Sequence, residues 1–108
     1  MGWFGDDSDE AQAYKKITQR PDRAEVSHTL LGDAAAYEAG KAYEDHVAAN
    51  GHPDEYSQAK EIVLGAIGAF VDREVETQGL DHIDRERAKH LARGPALEEL
   101  NSRYGDRW

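Results

Sequence analysis

The stretch SHTLLGDAAAYEAGKAYEDH, residues 27–46, decides the fold of this chain, because its apolar and small residues recur at helical spacing. At about 100° per residue, positions eighteen apart point the same way, so His28 and His46 share one side of a helix, roughly 27 Å apart along its axis. Between them on that side lie Leu31, Gly32, Ala35, Ala39, Ala42 and Tyr43. These small side chains predict a buried face on which a second helix packs closely.

Capping residues and helix breakers divide the chain into four helical segments. The expected starts stand at Asp7, Asp22, Asp54 and the pair Asp81 and Asp84. The expected ends stand before Pro21 and at Asn50-Gly51, Gly79 and Gly94-Pro95. No segment shows the strict alternation of a half-buried strand. The sequence therefore predicts an all-α fold, a small bundle of about four helices.

The chain has 108 residues, enough for one small domain. We expect a single helical domain, residues 1–108, in which residues 1–20 form an N-terminal arm with a short helix. Residues 94–108 are expected to form a C-terminal tail after the break at Gly94-Pro95. The aromatic side chains of Trp3 and Phe4 are expected to dock on the protein itself or on its own dimer.

The segment IVLGAIGAFV, residues 62–71, is apolar nearly all round, which predicts a helix enclosed on every side. One small domain rarely encloses a helix completely. We therefore expect self-association to complete the bundle, as a homodimer or a higher homo-oligomer. The segment is too short for a transmembrane helix, which needs about twenty residues.

The acidic composition restricts the partners and the location that we expect. A net charge of −9, from 22 acidic and 13 basic residues, repels phosphate backbones at long range, so we expect no nucleic-acid partner. The chain has no cysteine, which excludes disulfides, thiolate metal sites and cysteine nucleophiles. No signal peptide is evident, and we expect a cytoplasmic protein.

His28, His46 and His90 are the side chains best suited to chemistry, because imidazole titrates near neutral pH and binds zinc, copper, nickel or haem iron. These three are the candidate cofactor ligands, and together with Glu44 they are the candidate metal ligands. Two alternatives remain open: hydrogen bonding between helices by core histidines, and general acid–base catalysis. The lack of a close pair such as His-x-x-x-His favours the first alternative.

The burial expected for the other histidines and a comparison with known catalytic motifs assign no further candidate residue. His90 is expected to be half buried, whereas His52 and His82 stand at helix boundaries and are expected to be exposed. The chain has no glycine-rich phosphate loop, no nucleophile elbow and no Ser–His–Asp order. No catalytic residue is assigned, and a non-catalytic protein is favoured over an enzyme.

Three segments carry a family resemblance: MGWF at the start, SHTLLGDAAAYEAGKAYEDHVAANGHP from residue 27, and AKEIVLGAIGAFVDREVETQGLDHIDRERAK from residue 59. They resemble the fungal CipC-like antibiotic-response proteins (concanamycin-induced protein), over most of the chain up to about His90. The resemblance implies a small, acidic domain of unknown function linked to stress or antibiotic response. It also implies histidines at the positions of His28, His46 and His90. Relatives tend to continue a charged helix where this chain has LARGPALEEL.

Together, these features predict a stress- or antibiotic-response protein that acts as a non-catalytic binding or interaction module. The alternative is a histidine-ligated metal- or haem-binding protein with redox or hydrolytic activity. Membrane association through an apolar helix is a third hypothesis, which the negative charge disfavours on anionic lipid. The sequence names no small-molecule ligand.

Overall fold

The structure, a computed structural model, describes residues 3–108 as a bundle of four α-helices; Met1 and Gly2 of the predicted N-terminal arm lie outside the described residues. Helix α1 spans Asp9–Thr18, α2 His28–Asn50, α3 Tyr56–Gln78 and α4 Arg85–Tyr104. Short 3₁₀ turns at Arg23–Glu25 and Gly105–Arg107 precede α2 and follow α4. The predicted all-α fold is confirmed, and self-association stays a prediction.

Two helices begin one residue later than their predicted caps. Ser8 rather than Asp7 is the N-cap of α1, since its hydroxyl accepts a hydrogen bond from the first turn. Glu55 rather than Asp54 is the N-cap of α3, where it forms a capping box with the glutamine three residues on. Of the predicted pair Asp81 and Asp84, the second is the N-cap of α4, so this helix begins three residues later than predicted. The Asp84 carboxylate accepts hydrogen bonds from two backbone N–H groups.

The long helix α2 begins later than predicted. Asp22 caps only the 3₁₀ turn, because the backbone is extended at the buried Val26 and a helix cannot run through it. Ser27 is the N-cap of α2, and its hydroxyl accepts a hydrogen bond from the N–H of Leu30 at 3.0 Å. The stretch from Pro21 to Ser27 therefore connects α1 to α2 and does not form the first turns of α2.

Three of the four predicted helix ends are right, and the fourth is wrong. Helix α1 ends at Thr18, before Pro21. Gly51 and Gly79 end α2 and α3, with positive φ angles of 79° and 65°. Helix α4, in contrast, continues through Pro95 to Tyr104. Proline inside a helix costs about 3 kcal/mol, but Ala96 and Leu100 beyond it are fully buried and hold the second half of α4 on the bundle. The predicted tail, residues 94–108, is therefore mostly helix.

Helix α2 lies at the centre of the bundle and packs against α1, α3 and α4. Its small-residue face is buried as predicted, at Leu31, Gly32, Ala35, Ala39 and Tyr43. A Cβ atom at Gly32 would lie 3.0 Å from the Cβ of Leu91 and 3.1 Å from the carbonyl oxygen of Ala88. Glycine at this position therefore permits α2 and α4 to approach.

Helix α3 buries one side and leaves the other open. Its inner side is buried as predicted, at Ala59, Val63, Ile67 and Phe70. On the outer side Gly65 and Ala69 are exposed, and no atom lies within 4 Å of a Cβ built at Gly65. Within the single chain the other helices cover only one side of α3, so the predicted enclosure depends on self-association and stays a prediction. None of the helices within residues 3–108 is long and apolar enough to cross a membrane.

Trp3 docks inside the bundle, as predicted, and is only 4% exposed. A Cβ at Gly40 would lie 3.0 Å from its ring, and the ring centroids of Trp3 and Tyr43 are 5.5 Å apart. The guanidinium of Arg103 donates a hydrogen bond of 2.7 Å to the Trp3 carbonyl oxygen. The indole Nε1 is buried and has no hydrogen-bond partner within residues 3–108.

Candidate functional site

The four candidate ligands predicted from the sequence are spread over the bundle. His28 is the first residue of α2, Glu44 and His46 lie toward its end, and His90 lies in α4. Within residues 3–108, no group of three or more histidine or acidic side chains is arranged to hold a metal ion. The assignment of these four side chains as cofactor or metal ligands stays a prediction.

His90 is exposed, and the expectation that it is half buried is wrong. The inward positions of this part of α4 are Ala88 and Ala92, which are both fully buried. His90 is two residues from each of them and therefore points about 160° away from the bundle interior.

At the end of the bundle where α3 leads into α4, two histidines join the start of α2 to the α3–α4 loop. Nε2 of His28 accepts a hydrogen bond of 2.9 Å from the N–H of Asp84. Nε2 of His82 lies 2.8 Å from the carbonyl oxygen of Val26, which can only accept, so this nitrogen donates. We call these two hydrogen bonds the histidine latch. His82 is exposed as predicted, yet its ring joins two backbone segments through a hydrogen bond.

At the opposite end of α2, an open cleft of about 560 Å³ lies between the last turn of α2 and the first turns of α3. We call it the His46–His52 cleft; its lining consists of His46, Asn50, His52, Pro53, Asp54, Gln58, Glu61 and Ile62. Two imidazoles, two carboxylates and two amides thus line one cavity, beside one isoleucine. The cleft brings a predicted candidate, His46, together with a histidine that the sequence did not single out.

His52 connects this cleft to the buried aromatic side chains of the bundle. Its Nδ1 lies 3.2 Å from the hydroxyl of Tyr43, which is fully buried, and its ring centroid lies 4.7 Å from that of Tyr104. Burial, assisted by the positive charge of Arg107, lowers the pKa of His52. Burial also raises the pKa of Tyr43, so its hydroxyl stays protonated and shares a hydrogen bond with Nδ1 of His52. Nε2 is then the nitrogen that can meet a ligand.

The expectation that His52 is an exposed loop residue is wrong, because the ring is half buried. The sequence held one signal for this placement. His52 stands between Gly51, whose positive φ turns the chain back on itself, and Pro53, whose ring fixes the next φ angle. What could not be read from the sequence is that Tyr104, fifty-two positions later, covers the ring.

A second groove, of about 840 Å³, lies between α1 and the start of α2. Its charged lining consists of Asp9, Lys15, Lys16 and Asp33. Burial, together with the negative charges of Glu10 and Asp9, raises the pKa of Asp33. The positive charges of the two lysines largely balance the negative charges of the two aspartates, and no imidazole lines the groove. It is therefore a weaker candidate for a specific site than the His46–His52 cleft.

The fold and the cleft define a class: a small all-α domain with a polar cleft at one end of a helical bundle. Within that class, the family model described as "Virulence factor CipC-like" matches residues 12–103. The chain belongs to this CipC-like family, which confirms the resemblance seen in the sequence. All five histidines fall within the matched range, whereas Trp3 precedes it. No curated protein and no solved structure matches the chain.

Proposed function

We propose that the protein is a small, non-catalytic binding module whose site is the His46–His52 cleft. The observation that carries this proposal is the lining of one open cavity by two imidazoles, Asp54 and Glu61. These groups can accept and donate hydrogen bonds around a small polar ligand, while Ile62 offers it an apolar contact. Ligand pockets in proteins typically combine a few convergent polar groups with apolar surface in this way.

The non-catalytic part of the proposal rests on the kind of groups in the cleft. The lining includes no hydroxyl or thiol side chain that could act as a nucleophile. Nδ1 of His52 is already engaged by Tyr43, which leaves this ring suited to orient a ligand. A role in stress or antibiotic response, in the cytoplasm, is the biological setting that we propose for such a module.

The alternative is a histidine-ligated metal or haem protein, and one observation favours it. His46 and His52 share the cleft with Asp54 and Glu61, which offer the nitrogen and oxygen ligands that zinc, copper and nickel accept. These side chains would need to change rotamers, since no such group within residues 3–108 is arranged for an ion. Metal binding in this cleft would therefore require these side chains to move into a coordinating arrangement when the ion binds.

We further propose that the protein is a homodimer or a higher homo-oligomer through the open side of α3. Gly65 and Ala69 expose a flat strip there, flanked by Ile62, which is partly exposed. Small residues allow a helix of a second chain to approach closely. Static light scattering measures the assembly directly, and a compact monomer at micromolar concentration would contradict this part of the proposal.

Nuclear magnetic resonance with ¹⁵N-labelled protein tests the binding site. A library of small amines, alcohols and carboxylic acids is added, and the backbone amide shifts are followed. Binders should move the amides of residues 46–62 in the wild-type protein. The double variant with Asp54→Asn and Glu61→Gln should lose the response, while His90→Ala, an exposed histidine in α4, should keep it. Shifts scattered over the surface, or the same response in the double variant, would remove the cleft as the site.

Titration with Zn²⁺, Cu²⁺, Ni²⁺ and haemin separates the alternative from the main proposal. Stoichiometric binding that is lost in His46→Ala and kept in His90→Ala would support a metal or haem protein. A protein that remains metal-free and colourless throughout the titration would eliminate that alternative and leave the binding module.

A further inference from the structure

The ring of Trp3 fills a pocket whose walls come from other parts of the chain. Its centroid lies 5.5 Å from that of Tyr43 and 6.2 Å from that of Tyr104. Gly40, in the middle of α2, lies against the same ring. We call the space that Gly40, Tyr43 and Tyr104 leave for this ring the aromatic pocket. It is separate from the His46–His52 cleft, whose lining includes none of these residues.

Glycine at position 40 provides the width that a flat ring needs. A Cβ atom there would lie 3.0 to 3.1 Å from three side-chain atoms of Trp3. The nearby Ala36 and Ala39 of α2 carry a Cβ and are fully buried. Glycine is a poor helix former, so its presence inside α2 favours a role in making space. Helix α2 therefore helps to shape the aromatic pocket.

The indole of Trp3 matches the aromatic pocket in shape but not in chemistry. Trp3 is 4% exposed, and its Nε1 has no hydrogen-bond partner within residues 3–108. A buried N–H without an acceptor is unfavourable, because water would satisfy it outside the protein. A flat ring of the same size without an N–H would avoid that cost. The pocket therefore prefers a more apolar ring than the one it holds.

The N-terminal segment, residues 3–7, is attached to the bundle at few points. Beyond its ring, Trp3 is held by the hydrogen bond of 2.7 Å from Arg103 to its carbonyl oxygen. Neither Trp3 nor the partly buried Phe4 takes part in a backbone–backbone hydrogen bond within the described part of the chain. Gly5 is exposed, and α1 begins further along. The ring can therefore leave the pocket without unwinding a helix.

The contacts of Trp3 describe a ligand that could take its place. The rings of Tyr43 and Tyr104 pack against a flat aromatic group. Arg103 donates to a carbonyl oxygen that is joined to this group through two carbons, Cβ and Cα of Trp3. The Nε of Arg103 is bound to Glu99 at 3.1 Å, which orients the guanidinium independently of Trp3. A carboxylate in place of that carbonyl would strengthen the hydrogen bond, because both partners would be charged.

We propose that the aromatic pocket binds small carboxylic acids in which two carbons join the carboxylate to a planar, two-ring aromatic group. Trp3 is the occupant that such a ligand displaces. The ligand ring takes the place of the indole against Tyr43 and Tyr104, and its carboxylate accepts a hydrogen bond from Arg103. The N-terminal segment is then an internal competitor that fills the pocket when no ligand is present. The proposal does not depend on ligand binding in the His46–His52 cleft.

Nuclear magnetic resonance of the ¹⁵N-labelled full chain tests the proposal through the indole N–H of Trp3, which Trp108→Phe distinguishes from that of Trp108. The probe is indene-3-propanoate, which has the shape of the Trp3 side chain with CH₂ in place of N–H. It should move the Trp3 signal to the position of an exposed indole and speed its exchange with water, while the Trp108 signal stays. A Trp3 signal that does not move at any probe concentration would overturn the proposal. Shifts confined to the amides of residues 46–62 would overturn it too, since they place the probe in the cleft.

Two comparisons of affinity sharpen the test. Indene-3-propanoate should bind about tenfold more tightly than indole-3-propanoate, which carries the N–H that the pocket leaves unpaired. Trp3→Ala should bind the indene acid at least about tenfold more tightly than the wild-type protein, because the competitor is gone. Equal affinities for the two acids, or no gain in a folded Trp3→Ala, would contradict the proposal. If Trp3→Ala does not fold, the wild-type titration decides alone.

Second substitutions in Trp3→Ala locate the bound probe. Gly40→Ala should abolish binding, because its Cβ would occupy the space of the ring. Gly68→Ala, in α3, is the matched control, since that Cβ meets nothing within 4 Å, and it should leave binding unchanged. Arg103→Gln should weaken binding of the acid, because the charged hydrogen bond is lost. Undiminished binding with Gly40→Ala would place the probe elsewhere and refute the assignment of the pocket.

Discussion

The two ends of the bundle use histidine in different ways. At the latch end, His28 and His82 each form a hydrogen bond with a backbone group of a distant segment. At the cleft end, His52 pairs with a side-chain hydroxyl, and His46 lines an open cavity. Each latch ring uses one nitrogen to bond to backbone, whereas the two rings of the cleft end line an open cavity in which a nitrogen can meet a ligand. The difference indicates which histidines of a small helical domain can serve a function.

Two glycines of α2, one near its start and one at its middle, meet different neighbours. Gly32, toward the latch end, faces the backbone of α4 at the carbonyl oxygen of Ala88. Gly40, at the middle of α2, faces the ring of Trp3, which supports the aromatic side chains of the cleft end. The backbone of a packed helix cannot move to accommodate an added Cβ atom, whereas the ring of Trp3, close to the N-terminus, can shift. The latch end is therefore expected to be the more rigid of the two.

The largest expected effect comes from removing the aromatic support of the cleft end. Trp3→Ala should lower the free energy of unfolding by about 3 kcal/mol, the lower part of the range for a buried aromatic residue, because the unpaired Nε1 is removed with the ring. Urea denaturation measures the loss. Trp3→Phe, which keeps a ring and removes the unpaired N–H, should lose less. A loss below about 1 kcal/mol in Trp3→Ala would mean that the N-terminal segment contributes little to the cleft end.

A smaller loss is expected at the latch end when α2 and α4 are forced apart. Gly32→Ala should destabilise the protein by about 1–3 kcal/mol, since its Cβ would meet α4 at 3.0 Å and 3.1 Å. Gly68→Ala, in α3, is the matched control, because that Cβ meets nothing within 4 Å and alanine is the better helix former. It should stabilise the protein by up to about 1 kcal/mol. Equal thermal midpoints for the two variants would refute the close α2–α4 packing.

The sequence predicted the helices well because their signals are local. The small-residue face of α2 and the inner side of α3 follow from spacing alone, and glycines with positive φ mark both helix ends. Pro95 shows the limit of local signals. Its cost inside α4 is outweighed by the burial of Ala96 and Leu100 against other helices, which no local pattern reveals.

The candidate site was predicted only in part, for a similar reason. Helical spacing placed His46 on the same face as buried residues, and the structure places it in the cleft. His52 was missed because its role depends on Tyr43 and Tyr104, which lie nine positions before it and fifty-two after it. His28 was singled out as a candidate ligand, which stays a prediction; its ring is partly buried, and its partner is a backbone N–H of the α3–α4 loop.

The histidine latch gives a third, smaller expectation. His28→Ala and His82→Ala should each lower the free energy of unfolding by about 0.5–1.5 kcal/mol, the usual net value of one hydrogen bond. The double variant should lose less than the sum, because both hydrogen bonds join the same two segments. A double-mutant cycle in urea measures this coupling. Strictly additive losses would show that the two hydrogen bonds act separately and do not form one latch.

The smallest effect concerns the ion pairs beside the latch end. Lys89 and Arg85 contact the carboxylate of Asp72 at 3.1 Å and 3.3 Å, and the hydrogen bond from Lys89 is the main cause that lowers the pKa of Asp72. Because the folded pKa lies below the unfolded value of about 3.9, the stabilisation is present above that pH and is lost as the pH falls through the lowered pKa.

Asp72→Asn should remove that acid-dependent step while lowering stability near neutral pH. The loss should be under about 1 kcal/mol, because the carboxylate is substantially exposed and solvent screens the pair. Thermal unfolding of both proteins across the acidic range measures the difference, and Glu98→Gln, at an exposed position of α4, serves as the control. If both variants show the wild-type acid response, the Asp72 pairs do not stabilise this end. The latch and the helix packing would then account for its rigidity by themselves.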